Sequence, residues 1–155
     1  MSPNYWLMKC EPNVYSISDL ERDGWTFWEG VRNYQARNFM RDEFRVGDHV
    51  LFYHSNADPS GVAGLATVIR DAYVDHFAQD PENKYFDPKA TPDNPRWVMV
   101  DIQFVKKFQT VIALQEMRHH PTLSDMMVLQ KGSRLSITPI TKANYEYISA
   151  LSEPQ

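Results

Sequence analysis

Residues 28–38 read Trp-Glu-Gly-Val-Arg-Asn-Tyr-Gln-Ala-Arg-Asn, placing an indole, a carboxylate, two guanidiniums and three amides around one glycine. Gly30 lets backbone approach a ligand closely. Asn33 has the chemistry of a helix N-cap, beside which free backbone N–H groups favour anions. Arg32 offers a two-pronged donor suited to a phosphate or a base edge. Trp28 fits a stacking wall and a core position equally, and both readings stay open. Arg37, Arg41 and Arg45 recur at every fourth position. On a helix they form one basic stripe able to follow a phosphate backbone, or a solvated face partly neutralised by Asp42 and Glu43.

A second constellation, Tyr53-His54-Ser55-Asn56, closes an apolar run. A serine beside a histidine suggests a hydrolase, because a serine nucleophile needs an adjacent base. Neighbours on a strand point to opposite faces, however, and no Gly-x-Ser-x-Gly elbow accompanies the pair. A pocket wall made by Tyr53, His54 and Ser55 is more economical. His49, His54, His76, His119 and His120 lack metal-ligand spacing, and no phosphate-cradling glycine motif occurs. Neither a metal nor a cofactor is expected. Pairing Asp75 with Asp87 as acid and base has no supporting motif. A polar loop over residues 75–95 that folds across a pocket, with Asp75 accepting from a base amino group, fits better.

The elements that must position these groups follow from pattern. Residues 5–9 read as a first strand stopped by Pro12, and Ser16 with Asp19 starts a short helix closed by Gly24. Asn33 opens a helix burying Ala36, Phe39, Met40 and Phe44. Strands are expected over 49–54, over 62–74 with a bend at Gly64, over 97–105 and over 134–140. Short helices are expected over 114–118, from Thr122 with Asp125 through Leu129, and from Thr141 with Tyr145, Ile148 and Leu151 inward. Strands and helices interleave without a βαβ rhythm, which predicts an α+β fold: a mixed sheet, closed or nearly so, plugged by small helices.

The chain has 155 residues, the size of one domain over 1–155, with 43% hydrophobic, 23% charged and 13% aromatic residues. The aromatic share is high enough to build a pocket as well as a core. Cys10 is the only cysteine, so no internal disulfide forms. The first residues lack a signal-peptide pattern and no run approaches the ~20 apolar residues of a membrane span. The expectation is a cytoplasmic protein, or a nuclear one in a eukaryotic cell. A net charge of -4 argues against general phosphate attraction. A nucleic-acid partner would need a local basic patch beside a specific pocket.

The stretches YWLMKCEP (5–12), WEGVRNYQARNFMR (28–41), FYHSN (52–56), GVAGLATV (61–68), AYVDHF (72–77), YFDP (85–88), PRWVMVDIQFV (95–105) and RLSITPI (134–140) cover nearly the whole chain in order. Together they closely resemble the EVE domain family; Val74 departs from a proline common there. The resemblance implies a PUA-like fold, a small mixed β-barrel with short helices packed around and plugging it, akin to YTH and ASCH domains. It implies non-catalytic binding of nucleic acid bearing a modified base, foremost modified cytosine such as 5-methylcytosine in DNA, flipped into an aromatic-walled pocket. Carried onto this chain, the pocket would comprise Trp6, Lys9, Trp28, Gly30, Val31, Arg32, Asn33, Tyr53, His54 and Ser55. Asp75, Arg134, Leu135 and Ser136 are rim candidates, and Arg37, Asn38, Arg41 and Arg45 would meet the phosphate backbone. Small anions are further candidate occupants. The alternatives are an RNA or tRNA-modification binder of the same fold, a small-molecule sensor, and a small hydrolase using His54 and Ser55.

Overall fold

Tyr5–Cys10 (β1) and His49–His54 (β3) are short runs rich in aromatic and branched residues, and they pair in parallel with Tyr5 opposite His49 and Cys10 opposite His54. The structure, a computed structural model, describes residues 3–132 and 134–153. β2 is Trp25–Trp28, β4 Gly61–Val74, β5 Val98–Ala113 and β6 Ile137–Ile140. The strands form one six-stranded sheet in the order β2-β5-β4-β3-β1-β6, antiparallel except for β1–β3.

The sheet is covered on both faces, which is why β1 and β3 read as nearly continuous apolar runs. Alternation decides the partners. Trp6 and Met8 join Val50, Phe52, Val100 and Ile102 in a core closed by α1 (Ile17–Asp23) and α2 (Tyr34–Asp42). Leu7 points the other way, joining Leu51, Tyr53, Phe108 and Ile112 under α3 (Leu114–Met117) and α4 (Lys142–Leu151).

Local signals determine the helix ends. Ser16 accepts from the Asp19 backbone while the Asp19 carboxylate accepts from Ser16, and Gly24 ends α1 at φ 81°. Asn33 caps α2 through Ala36 N–H, and Thr141 with Asn144 forms a second reciprocal cap. The bend expected at Gly64 is present as a register shift on both sides of β4.

Four expectations are corrected. The sheet is open: its edge strands β2 and β6 do not pair with each other. Both edges are four residues long, and no ladder joins them. α2 ends at Asp42, so Arg45 lies in the turn leading to β3 and Phe44, though fully buried, is not helical. The helix expected from Thr122 to Leu129 is two 3-10 turns, Pro121–Leu123 and Met127–Leu129; Asp125 accepts from the Asn144 side-chain amide, not from the backbone of its own segment. Finally, β5 runs eight residues past Val105, carried across Lys106 and Lys107 by irregular pairing with β4.

Candidate functional site

Where a closed sheet would join β2 to β6, the molecule opens into a cleft of about 1280 Å³. Trp25, Thr26, Phe27 and Trp28 of β2 line one side, and Arg134 and Ser136, just before β6, line the other. The ends of three chain segments are tied together at its base: Lys9 N–H donates to the Ser136 carbonyl (2.8 Å) and Ser55 N–H to the Cys10 carbonyl (3.0 Å). Among the described residues no helix is long and apolar enough to cross a membrane.

The wall beyond β2 is built on one buried carboxylate. Asp75 is 0% exposed; Oδ2 accepts from Gly30 N–H and Arg32 Nη1, both at 3.0 Å, and Oδ1 from Phe77 N–H at 3.1 Å. Arg32 donates in turn through Nε and Nη2 to the Tyr85 carbonyl (3.0 and 2.8 Å) and through Nη1 to its neighbour Val31 (3.0 Å). The polar segment 75–95 is thereby strapped to the 28–33 run. Gly30 is required at the join: its φ is +82°, and a Cβ there would sit 2.7 Å from the Tyr85 ring.

Three chemical features face this cleft. The Trp28 indole, 7% exposed, stands edge-on to Phe52 with ring centroids 5.7 Å apart. Half-buried Glu29 has its carboxyl pushed above the usual range by burial, aided by the nearby Asp75 charge and opposed by a hydrogen bond from its own backbone and by Lys84 and Arg32. Such a carboxyl can accept from an amino group and, when protonated, donate to a ring nitrogen. Lys9, Lys84 and Arg134 supply positive charge, and Ser55, Asn56 and Ser136 supply polar groups.

Of the residues expected from sequence, Lys9, Trp28, Gly30, Val31, Arg32, Ser55, Arg134 and Ser136 come together around the cleft. Trp6 does not: it is 2% exposed, stacked on Phe44, with Nε1 donating to Asp48 (2.9 Å), because its face of β1 is the core face. Asn33 is spent on capping α2. Tyr53 and His54 point to opposite sides of β3, Tyr53 into the core with Leu7 and His54 towards α1, and Leu135 is not among the lining residues. Asp75 is a strut beneath the wall, not a rim residue.

The arginine stripe is dispersed as well. Arg37 donates to Asn38 Oδ1 and to the Arg96 carbonyl and lies over the Tyr34 ring at 4.7 Å. Arg41 pairs with Asp42, and Arg45 donates to the carbonyls of Phe44 and Asp42. Sequence reading passed over Glu29, Tyr85 and Lys84 as wall residues. Glu29 lies inside the signature; for Tyr85 the only signal is its place in the 75–95 loop expected to fold across a pocket.

His54 answers the hydrolase reading. Its Nε2 accepts from Ile17 N–H (3.1 Å), satisfying a donor of the first turn of α1, so that nitrogen cannot take a proton from Ser55. Burial also lowers its pKa below 6.5. Because the unfolded chain binds this proton more readily, His54 contributes stability that is complete above 6.5 and is lost as pH falls from there through the lowered folded value. Thermal melts between pH 7.5 and 5 should show wild type losing stability faster than His54→Gln, whose amide oxygen can accept from Ile17 without titrating. Parallel curves would refute the role.

An open mixed sheet covered on both faces by short helices, with a cleft at its unpaired edges, defines a PUA-like α+β fold. The chain belongs to the EVE domain family, whose pattern it matches over residues 4–151. Human thymocyte nuclear protein 1 is 39% identical over 170 aligned residues, covering 98% of this chain and 75% of that protein. A hypothetical protein from Leishmania major superposes with a TM-score of 0.93 at 46% identity, covering 97% of this chain and 95% of that one. Human THYN1 protein, solved in complex with 5-methylcytosine containing DNA, superposes with a TM-score of 0.89 at 38% identity over 98% and 99% of the two chains.

Proposed function

We propose that this protein reads a modified base in nucleic acid, foremost a modified cytosine in DNA, by holding it flipped out in the cleft between β2 and β6. The observation that carries this reading is the pairing of an indole, Trp28, with a half-buried carboxyl, Glu29, in one cleft. The likeness to human THYN1 protein in its complex with 5-methylcytosine containing DNA supports it. A cytosine presents an amino donor on the edge where Glu29 can accept. Stacking is worth roughly 1–3 kcal/mol per base, comparable with but not above the few kcal/mol needed to extrude it. Phosphate contacts must add the remainder. A DNA partner places the work in the nucleus of a eukaryotic cell or the cytoplasm of a bacterial one.

Burying one methyl group is worth roughly 0.8 kcal/mol, about fourfold in affinity. Fluorescence anisotropy with matched strands should therefore show a single 5-methylcytosine binding about fourfold or more tighter than cytosine, with a shallow dependence on salt. Equal affinities for the two strands would overturn the reading. An RNA strand with the same modification binding better than DNA would favour the RNA alternative, since that preference requires recognition of the 2′-hydroxyl. A free modified nucleoside binding as tightly as the strand would favour a small-molecule sensor.

A further inference from the structure

Lys9 lies between two cavities. It faces the cleft, and with Tyr53, its partner in the β1–β3 register, it also lines a second cavity of about 490 Å³ on the opposite side of the strand end. Arg118, just after α3, and Lys131 complete a ring of three cations around this second space. Its lining contains no carboxylate, and none of the three cations enters an ion pair among the described residues. Asp125, from the neighbouring segment, is bonded to Asn144. The cleft is different: Glu11, Asp23 and Glu29 offset its cations, and Arg32 is committed to Asp75.

We propose that this second cavity binds the backbone phosphate adjacent to the base held in the cleft, through Lys9, Arg118 and Lys131. The inference rests on reading the cleft as a base site. Three cations without a carboxylate favour an anion there. Lys9 is half-buried, and burial disfavours its charged form until an anion joins it. Burial likewise raises the Tyr53 pKa against the pull of Arg118, so its phenol stays protonated and able to donate. Lys9, which lines both cavities, is the observation that links the phosphate to the base. The phosphate-binding role expected of Arg37, Arg41 and Arg45 moves to residues far apart in sequence.

Arg118 and Lys131 are exposed, so Arg118→Gln with Lys131→Gln should fold normally. Three single strands test the idea by anisotropy: one with 5-methylcytosine, one with cytosine and one abasic at that position. The double variant should bind all three about tenfold more weakly at low salt. Its salt slope should fall by about 0.7, one phosphate on a single strand. The wild-type preference for 5-methylcytosine should survive. A neutral methylphosphonate next to the modified base should weaken wild type by the same factor and leave the double variant unchanged. Equal losses from the methylphosphonate in both proteins, or wild-type affinity in the double variant, would overturn the proposal. Wild type without base preference would sink the base reading alone, provided the variant still loses affinity for the abasic strand. Wild type binding no strand would overturn both.

Discussion

Trp28→Ala is expected to lower stability by about 3–5 kcal/mol and to abolish selectivity for a modified base. The first loss follows from geometry: the indole is 7% exposed, meets Phe52 edge-on and belongs to the core that also holds Trp6 and Ile102. Replacing a buried tryptophan by alanine typically costs that much, from a total of about 5–15 kcal/mol. Of the two readings left open by sequence, the core position holds, and Trp28 also lines the cleft, where the stacking role is the one to test. Trp28→Phe separates them. It keeps most of the contact with Phe52 but offers a smaller stacking surface, so urea denaturation should show a loss below about 1.5 kcal/mol. Affinity for the 5-methylcytosine strand should still fall towards that of the cytosine strand. Unchanged discrimination by Trp28→Phe would show that the base does not stack there.

Asp75→Ala should be nearly as severe, for an electrostatic reason. The substitution strands the Arg32 guanidinium, 22% exposed, and leaves the N–H groups of Gly30 and Phe77 without acceptors. Breaking one side of a buried pair costs about 3–5 kcal/mol because the remaining charge and donors stay desolvated. At this chain length that corresponds to a fall of roughly 6–20 °C in Tm, readable by calorimetry. The wall should loosen too, since Arg32 holds the Tyr85 carbonyl only while Asp75 orients it. Fragments cut by a protease within residues 75–95 should appear earlier in the variant. A Tm within 2 °C of wild type would show that the strut is dispensable.

The two losses act on the same wall from different sides, one through packing and one through charge. Neither substitution touches the second cavity, so base selectivity and phosphate affinity should separate experimentally.

What the residues alone determined was local. The Ser16–Asp19 and Thr141 caps, the Asn33 start of α2, the His49–His54 strand and the bend at Gly64 rest on contacts within a few positions, or on a period of two or 3.6. The family signature located half of the cleft, because Trp28 to Arg32 is contiguous. Alternation along β1 and β3 puts Trp6 and Lys9, and likewise Tyr53 and His54, on opposite faces, although all four were expected in one pocket. It could not say which face meets a core and which a cavity. That depends on what covers the sheet, and α2, α4 and the 3-10 turns at 121–129 come from segments far from β1 along the chain.

The tertiary structure decided the remainder by joining positions the sequence keeps apart. Arg32 reaches Tyr85 across 53 residues and Gly30 reaches Asp75 across 45. Lys9 shares a cavity with Arg118 and Lys131. The strand order places β2 and β6 at unpaired edges, and the opening between them is the cleft. Residues 28–38 marked where to look. Only the folded chain divided them into a cleft wall held from beneath by Asp75 and a helix start whose Arg37 is committed elsewhere, because side-chain partners are settled by packing and not by spacing along the chain.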